Sequence, residues 1–389
     1  MRAKNISYKV IFLSILISIV ACSREDEAID STVANEQTVI MFFPWSSNLL
    51  PYFQQNIKDF SESIEKRGLY TERVIVCLAT TPEEAMLMEL KYGKGKCITD
   101  TLKYYNNTDF TSKSNITNLI NDIVSIAPGK RYGLIVGCHG MGWLPVIKTK
   151  SGKMSTTFHY DIQTGPITRY FGGLSSEYQI ETTTLADAIS DSGITMEYIL
   201  FDDCYMSSVE VAYDLKEVTN FLIASPTEVL MYGFPYQKCG KYLLGEVNYE
   251  AIIDEFYNFY STYQYPYGTA AVTNCQELDD LAELVRKIYG NSETFDNNLE
   301  IQAMDGYSPT VFYDLKDFIN KICQNQELKD KFFAQLEKTI PYKCHTDQYI
   351  TALKGALPIM EYSGITTSEP SYNSLTNSKK YTNWYKATH

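Results

Sequence analysis

Two short blocks of the chain concentrate the residues able to do covalent chemistry. In the first, the apolar run Tyr198-Ile-Leu-Phe201 leads into Asp202-Asp203-Cys204 and then into Ser207-Ser-Val-Glu-Val-Ala-Tyr213, which has helical character. In the second, sixty-five residues upstream of the cysteine, Tyr132-Gly-Leu-Ile-Val-Gly-Cys138 ends on His139, followed by Gly140-Met-Gly-Trp143. A thiol beside a helix amino terminus is expected to have a lowered pKa, and a nearby imidazole can exchange a proton with it. In an α/β fold both side chains would stand at the carboxyl ends of parallel strands, where such sheets place their chemistry. The pattern points to attack by Cys204 on a carbonyl, with His139 as general acid/base. The backbone amide of Cys204 is a candidate for holding the oxyanion, and Gly140 and Gly142 can each point an amide into the site. The other three histidines are weaker candidates: His159 lies in a long loop, His345 in an irregular segment and His389 at the terminus. A buried structural cysteine and a structural histidine are the plain alternatives for each residue taken alone.

Candidate substrate contacts come from the same blocks. Side chains alternate along a strand, so Asp202 shares the phase of Cys204 and is placed to meet a basic side chain just before the scissile bond. A structural Asp202 that bonds loop amides is the competing reading. Glu228 is a second candidate acid, and Trp143 with Met141 are candidate pocket walls.

The elements that must position these residues alternate. Strands are expected at Thr38–Phe43, Arg73–Leu78, the run ending at His139, the run ending at Cys204, Asn220–Ser225 and Thr269–Thr273, with a short extended edge at Cys97–Tyr105. Helices are expected near Leu49–Ile64, Ser112–Ile126, Thr183–Ser192 and Ser207–Val218. This order implies an α/β fold whose mostly parallel sheet is covered on both faces. Leu144 to Glu181 is long, polar and aromatic, as lids and binding loops are. Residues 37–300 are read as the catalytic domain. Residues 301–389 are read as a mostly helical extension that packs on it and contributes to its sheet.

The amino terminus reads as targeting. Arg2, Lys4 and Lys9 precede an apolar run of secretory-signal length, Val10–Val20. Ile19-Val20-Ala21-Cys22 resembles a bacterial lipobox. Residues 1–21 are then a lipoprotein signal, Cys22 is the lipidated residue that holds the protein to a membrane, and 22–36 is a flexible tether. The acidic Ser23–Glu27 resembles a tag that sends some bacterial lipoproteins to the cell surface. The expected location is the outer membrane or cell surface of a Gram-negative bacterium, with a periplasm-facing site as the alternative. Loss of residues 1–21 takes the formal charge from −13 to −16, a poor balance for nucleic-acid binding. Besides Cys22 there are eight cysteines, none in CxxC spacing.

The block FDDCYMSSVEVAY resembles the nucleophile block of the clostripain family, and CHGMGW resembles its His-Gly-x-Gly-Trp block. Ala224 to Tyr236, ASPTEVLMYGFPY, is similar to a third. The resemblance implies a caspase-like α/β/α sandwich and a cysteine endopeptidase with a Cys204–His139 dyad and the Gly140 and Cys204 amides for the oxyanion, acting on peptides or proteins after Arg or Lys. It also implies a zymogen that cuts itself after the histidine strand, where Lys148, Lys150 and Lys153 stand. Asp203, Tyr205 and Ser207 depart from that family's small, aliphatic and glycine residues and are expected to alter the surroundings of the dyad, not the dyad. Calcium serves some relatives, but no DxDxDG-type loop occurs and no cofactor is expected from the residues. Two other classes stay open at this level: a catalytically silent peptide- or glycan-binding lipoprotein, and a transpeptidase using the same thioester.

Overall fold

A computed structural model describes residues 35–46, 48–146, 172, 173, 175–291 and 299–389. The signal segment, Cys22, most of the tether, and Lys148, Lys150 and Lys153 lie outside the described residues. The first strand, β1 (Gln37–Phe43), is buried along its whole length. It feeds α1 (Leu50–Arg67), which carries Pro51 in its first turn, buries Phe53, Phe60 and Ile64, and stops at Gly68, whose φ of 90° suits glycine. Then come β2 (Glu72–Ala79), β3 (Glu84–Gly93), β4 (Lys96–Asn106), α2 (Lys113–Ile126), β5 (Arg131–Val136), α3 (Thr182–Asp191), β6 (Met196–Phe201), α4 (Val209–Leu215) and β7 (Thr219–Ala224). They are followed by α5 (Tyr236–Cys239), α6 (Tyr249–Thr262), β8 (Thr269–Asn274), α7 (Leu278–Asn291), β9 (Tyr313–Asp314), α8 (Leu315–Ile322), α9 (Gln326–Thr339), β10 (Tyr342–His345), β11 (Gln348–Thr351), β12 (Gly355–Pro358), β13 (Thr366–Thr367) and α10 (Asn383–Thr388).

Nine strands form one sheet in the order β10-β8-β7-β6-β5-β1-β2-β3-β4. The central five, β7 to β2, pair in parallel, and the strands outside them are antiparallel. The expected mostly parallel α/β sheet is therefore present, with antiparallel edges. One apolar core joins its first face to α2, α3, α4, α7, α8 and α9. The other joins the opposite face to α1 and α6 through Phe53, Phe60, Ile252 and Phe256. Each such side chain, fully buried, stabilises the fold by about 1.5–3 kcal/mol, and together they fix the sheet between two helical layers.

One region runs against its local propensity and another departs from expectation. Residues 84–93 form β3, although Glu84-Ala-Met-Leu-Met-Glu-Leu90 is rich in helix formers. Pairing with β2 and β4 overrides propensity, and the Lys94-Gly95 turn, with φ of 53° and 77°, closes the hairpin. The part after residue 300 contributes β10 to the large sheet but is mixed rather than mostly helical, since β11, β12 and β13 form small pairs besides.

The carboxyl-terminal segment also reaches under the site. Thr366 N–H donates to Ser207 O at 3.0 Å, Ser207 Oγ donates to Gly364 O at 2.7 Å, and Ser368 N–H donates to Glu210 Oε1 at 2.7 Å. Burial pushes the Glu210 carboxyl up from 4.5 to about 7, against hydrogen bonds from Ser368, Ser208 and Thr367 that lower it. An unfolded chain releases this proton near 4.5, so between pH 4.5 and 7 the folded state holds a proton that the unfolded state has lost. Stability therefore falls as pH rises through that window. Thermal unfolding of wild type beside Glu210→Gln should show the wild type losing roughly 2–3 kcal/mol relative to the variant between pH 4.5 and 7. Parallel pH profiles would refute the buried titration.

Candidate active site

β5 and β6 run side by side, with Val136 opposite Phe201. The ladder continues one step further, because Asp202 N–H donates to Val136 O at 2.8 Å. His139 and Cys204 each stand three residues beyond their strand ends. A side chain on Gly140 would begin 2.2 Å from Cys204 O and 2.7 Å from Cys204 N, so only glycine allows the two backbones this approach. Gly142, at φ 59°, turns the chain away under the Phe312 ring. The topology thus brings both predicted residues to one end of the sheet. It also makes neighbours of the two backbones expected to supply the oxyanion amides.

His139 is buried, 1% exposed. Its Nε2 lies 2.8 Å from Asn48 Oδ1, in the loop between β1 and α1. Donation from Nε2 to this amide oxygen places the lone pair on Nδ1, which is then the nitrogen available to exchange protons. Asn48 was not identified from the sequence. Its one available signal was position, since it follows a parallel strand at the same end of the sheet.

Cys204 is fully buried. Val229 N–H donates to its Sγ at 3.2 Å, and Val229 O lies 3.8 Å from the same sulfur, so this backbone covers the thiol. The next residue, Tyr205, sits in the left-handed region at φ 61°, which costs a non-glycine residue about 1–2 kcal/mol. Three contacts hold it there: its N–H donates to Thr227 O, its hydroxyl donates to Glu228 Oε1 at 2.7 Å, and its ring stacks on Phe312 at 5.0 Å. The expectation of a thiol at the first turn of a helix is corrected. The left-handed turn intervenes, α4 begins only at Val209, and Ser208 caps it by accepting from Val211 N–H. A dipole effect falls off within the first turn, so the start of α4 is not placed to lower the pKa of this thiol.

The other predicted contacts have defined employment. Asp202 is buried, with Phe234 N–H on Oδ1 at 2.9 Å and Tyr236 OH on Oδ2 at 3.1 Å. Glu228 accepts from Tyr205 OH and, 124 residues on, from Ala352 N–H at 3.0 Å. It ties the segment covering Cys204 to the β11–β12 hairpin. The Trp143 indole is buried and donates to Ser368 Oγ at 2.8 Å, which anchors the histidine loop to the carboxyl-terminal segment. Among the described residues no disulfide forms. Burial pushes the thiols of Cys77 and Cys239 far up, and those of Cys275 and Cys344 to about 12, which makes them poor nucleophiles. Among the described residues no group of three or more His, Cys, Asp or Glu is placed to hold a metal ion.

A model of the clostripain family matches residues 43–357. The chain belongs to the clostripain family. Its structure is similar to that of iotapain, a secreted C11 cysteine protease from Bacteroides thetaiotaomicron, at 47% identity and TM-score 0.85 over 92% of this chain and 100% of that one. A clostripain from the same organism, solved with a peptide inhibitor, is 50% identical over 57% of this chain and 99% of that one, at TM-score 0.56. An inactive zymogen C11 protease from Parabacteroides distasonis is 28% identical, at TM-score 0.76 over 92% of this chain and 99% of that one. No curated protein matches. As a clostripain-family member the protein is a cysteine peptidase, a hydrolase, and the silent binding lipoprotein loses its ground.

Asn48 is expected to orient His139. Asn48→Ala should lower kcat by about 10–10²-fold with KM little changed, because misplacing a reacting group by about an ångström carries that cost. Steady-state kinetics on a peptide substrate check this, and an unchanged kcat would remove Asn48 from the account.

Proposed function

We propose that the chain is an endopeptidase that cuts after Arg or Lys, with Cys204 as nucleophile. In this reading His139 protonates the leaving amine, the Gly140 and Cys204 amides hold the oxyanion, and water then hydrolyses the thioester. The observation that carries it is the contact of Gly140 with the Cys204 backbone, which joins the two strand ends inside a clostripain-family fold. Asp202 supplies the counter-charge for the basic side chain. It stands two residues before the thiol and is held in place by the Phe234 N–H and the Tyr236 hydroxyl.

The covered thiol supports a latent form. Lys148, Lys150 and Lys153 follow the histidine turn in the sequence, and Gly172, further along the chain, accepts from His139 N–H at 3.1 Å. Self-cleavage there would free both flanks next to the dyad. Lipidation of Cys22 would hold the enzyme at the outer membrane or cell surface, where protein substrates are met.

A panel of fluorogenic peptides ending in Arg, Lys, Asn or Asp separates these statements. Wild type should turn over the Arg and Lys peptides and Cys204→Ala none. Asp202→Asn should lose about 10²–10³-fold in kcat/KM on the basic peptides, the scale for breaking a buried charge pair. Equal rates on all four peptides would reject the basic preference. On a denaturing gel, wild type should split near residue 150 while Cys204→Ala stays one chain. Detergent-phase partition should be lost in Cys22→Ala, and its persistence would reject the lipid anchor.

A further inference from the structure

The bond from Asp202 N–H to Val136 O is the last step of the ladder between the two central strands, and the turns that follow carry the dyad. Tyr205 then turns β6 away. The gap is bridged by a side chain. Asp203 is fully buried, and its Oδ1 accepts from Cys138 N–H at 2.5 Å while its Oδ2 lies 3.6 Å from Cys138 Sγ, within reach of the thiol proton. Cys138 immediately precedes His139, and Asp203 immediately precedes Cys204. The opposite side of the same turn is closed by Gly140, where an added Cβ would lie 3.0 Å from Asp203 Cβ.

We propose that Asp203 is the positioning residue that sets the separation of His139 and Cys204, acting as a two-pronged side-chain strap in place of the backbone pairing that ends at Asp202. A carboxyl group fits this task because its two oxygens can meet two donors in one plane. Buried between two strands with both oxygens engaged, it has little rotational freedom, so its Cβ fixes the start of the nucleophile turn. The sequence suggested that Asp203 changes only the surroundings of the dyad. The geometry instead ties it to the residue adjoining each member. Asp203 works through Cys138, so its effect belongs to geometry at the moment of attack and not to substrate capture.

The strap rests on the peptidase reading, and kinetics on an Arg or Lys peptide test it. Asp203→Ala should lower kcat by about 10²-fold, as displacement of one dyad member by about an ångström does, with KM within about twofold. Asp203→Asn should keep kcat within about threefold, because its side-chain oxygen still accepts the Cys138 amide. Cys138→Ala should lose less than Asp203→Ala, since the backbone prong survives. If Asp203→Ala does not fold, Asp203→Ser takes its place, its hydroxyl being one atom too short to span the gap. An unchanged kcat in the truncated variant, an equal loss in Asn and Ala, or a loss confined to KM would each overturn the strap. A wild type with no Cys204-dependent turnover would overturn the peptidase reading and the strap with it. An active wild type beside an equally active Asp203→Ala would overturn the strap alone.

Discussion

Parallel pairing of β5 with β6 puts Val136 beside Phe201, and each member of the proposed dyad is counted from that pair. Three residues onward on one strand is His139, and three onward on the other is Cys204. Two parallel strands leave the sheet at the same end, so their following turns lie side by side. Gly140 lets the turns touch, and Asp203 bridges what the backbone no longer pairs. The outer helices, the antiparallel edges and the carboxyl-terminal segment hold this pair in place. Trp143 links one turn to Ser368, and Glu210 links the helix after the other to the same residue.

Much of this was legible because the signal was local. An unbroken apolar run ending in a chemically distinctive residue and a glycine turn marks a buried parallel strand and its exit. Side-chain roles that depend on distant partners were not legible. Glu228 looked like a substrate acid, but its partner Ala352 lies 124 residues away. Asn48 is an ordinary loop asparagine until β1 is known to lie beside β5. The β3 strand was hidden by Met, Leu and Glu, whose helical preference loses to pairing on both edges. The expected helix-dipole activation of Cys204 failed for a related reason. A single left-handed residue, Tyr205, moved α4 away from the thiol, and nothing in a tyrosine announces such a turn.

The cover over the thiol has a consequence for control. Val229 meets Cys204 through backbone atoms, so side-chain substitution at 229 does not by itself remove the contact. Its hold comes from its neighbours: Thr227 accepts from Tyr205 N–H, and Glu228 is clamped between the Tyr205 hydroxyl and the β11–β12 hairpin. The strained residue and the cover therefore stabilise one another.

The central claim is that one thiol among the cysteines, Cys204, is the nucleophile and depends on His139. A peptide halomethyl ketone ending in lysine, followed by mass mapping of the adduct in wild type and in His139→Ala, tests it most directly. The account predicts a single adduct on Cys204 in wild type and a much slower reaction in the variant. An adduct on another cysteine, or labelling of Cys204 at the same rate without His139, would contradict it.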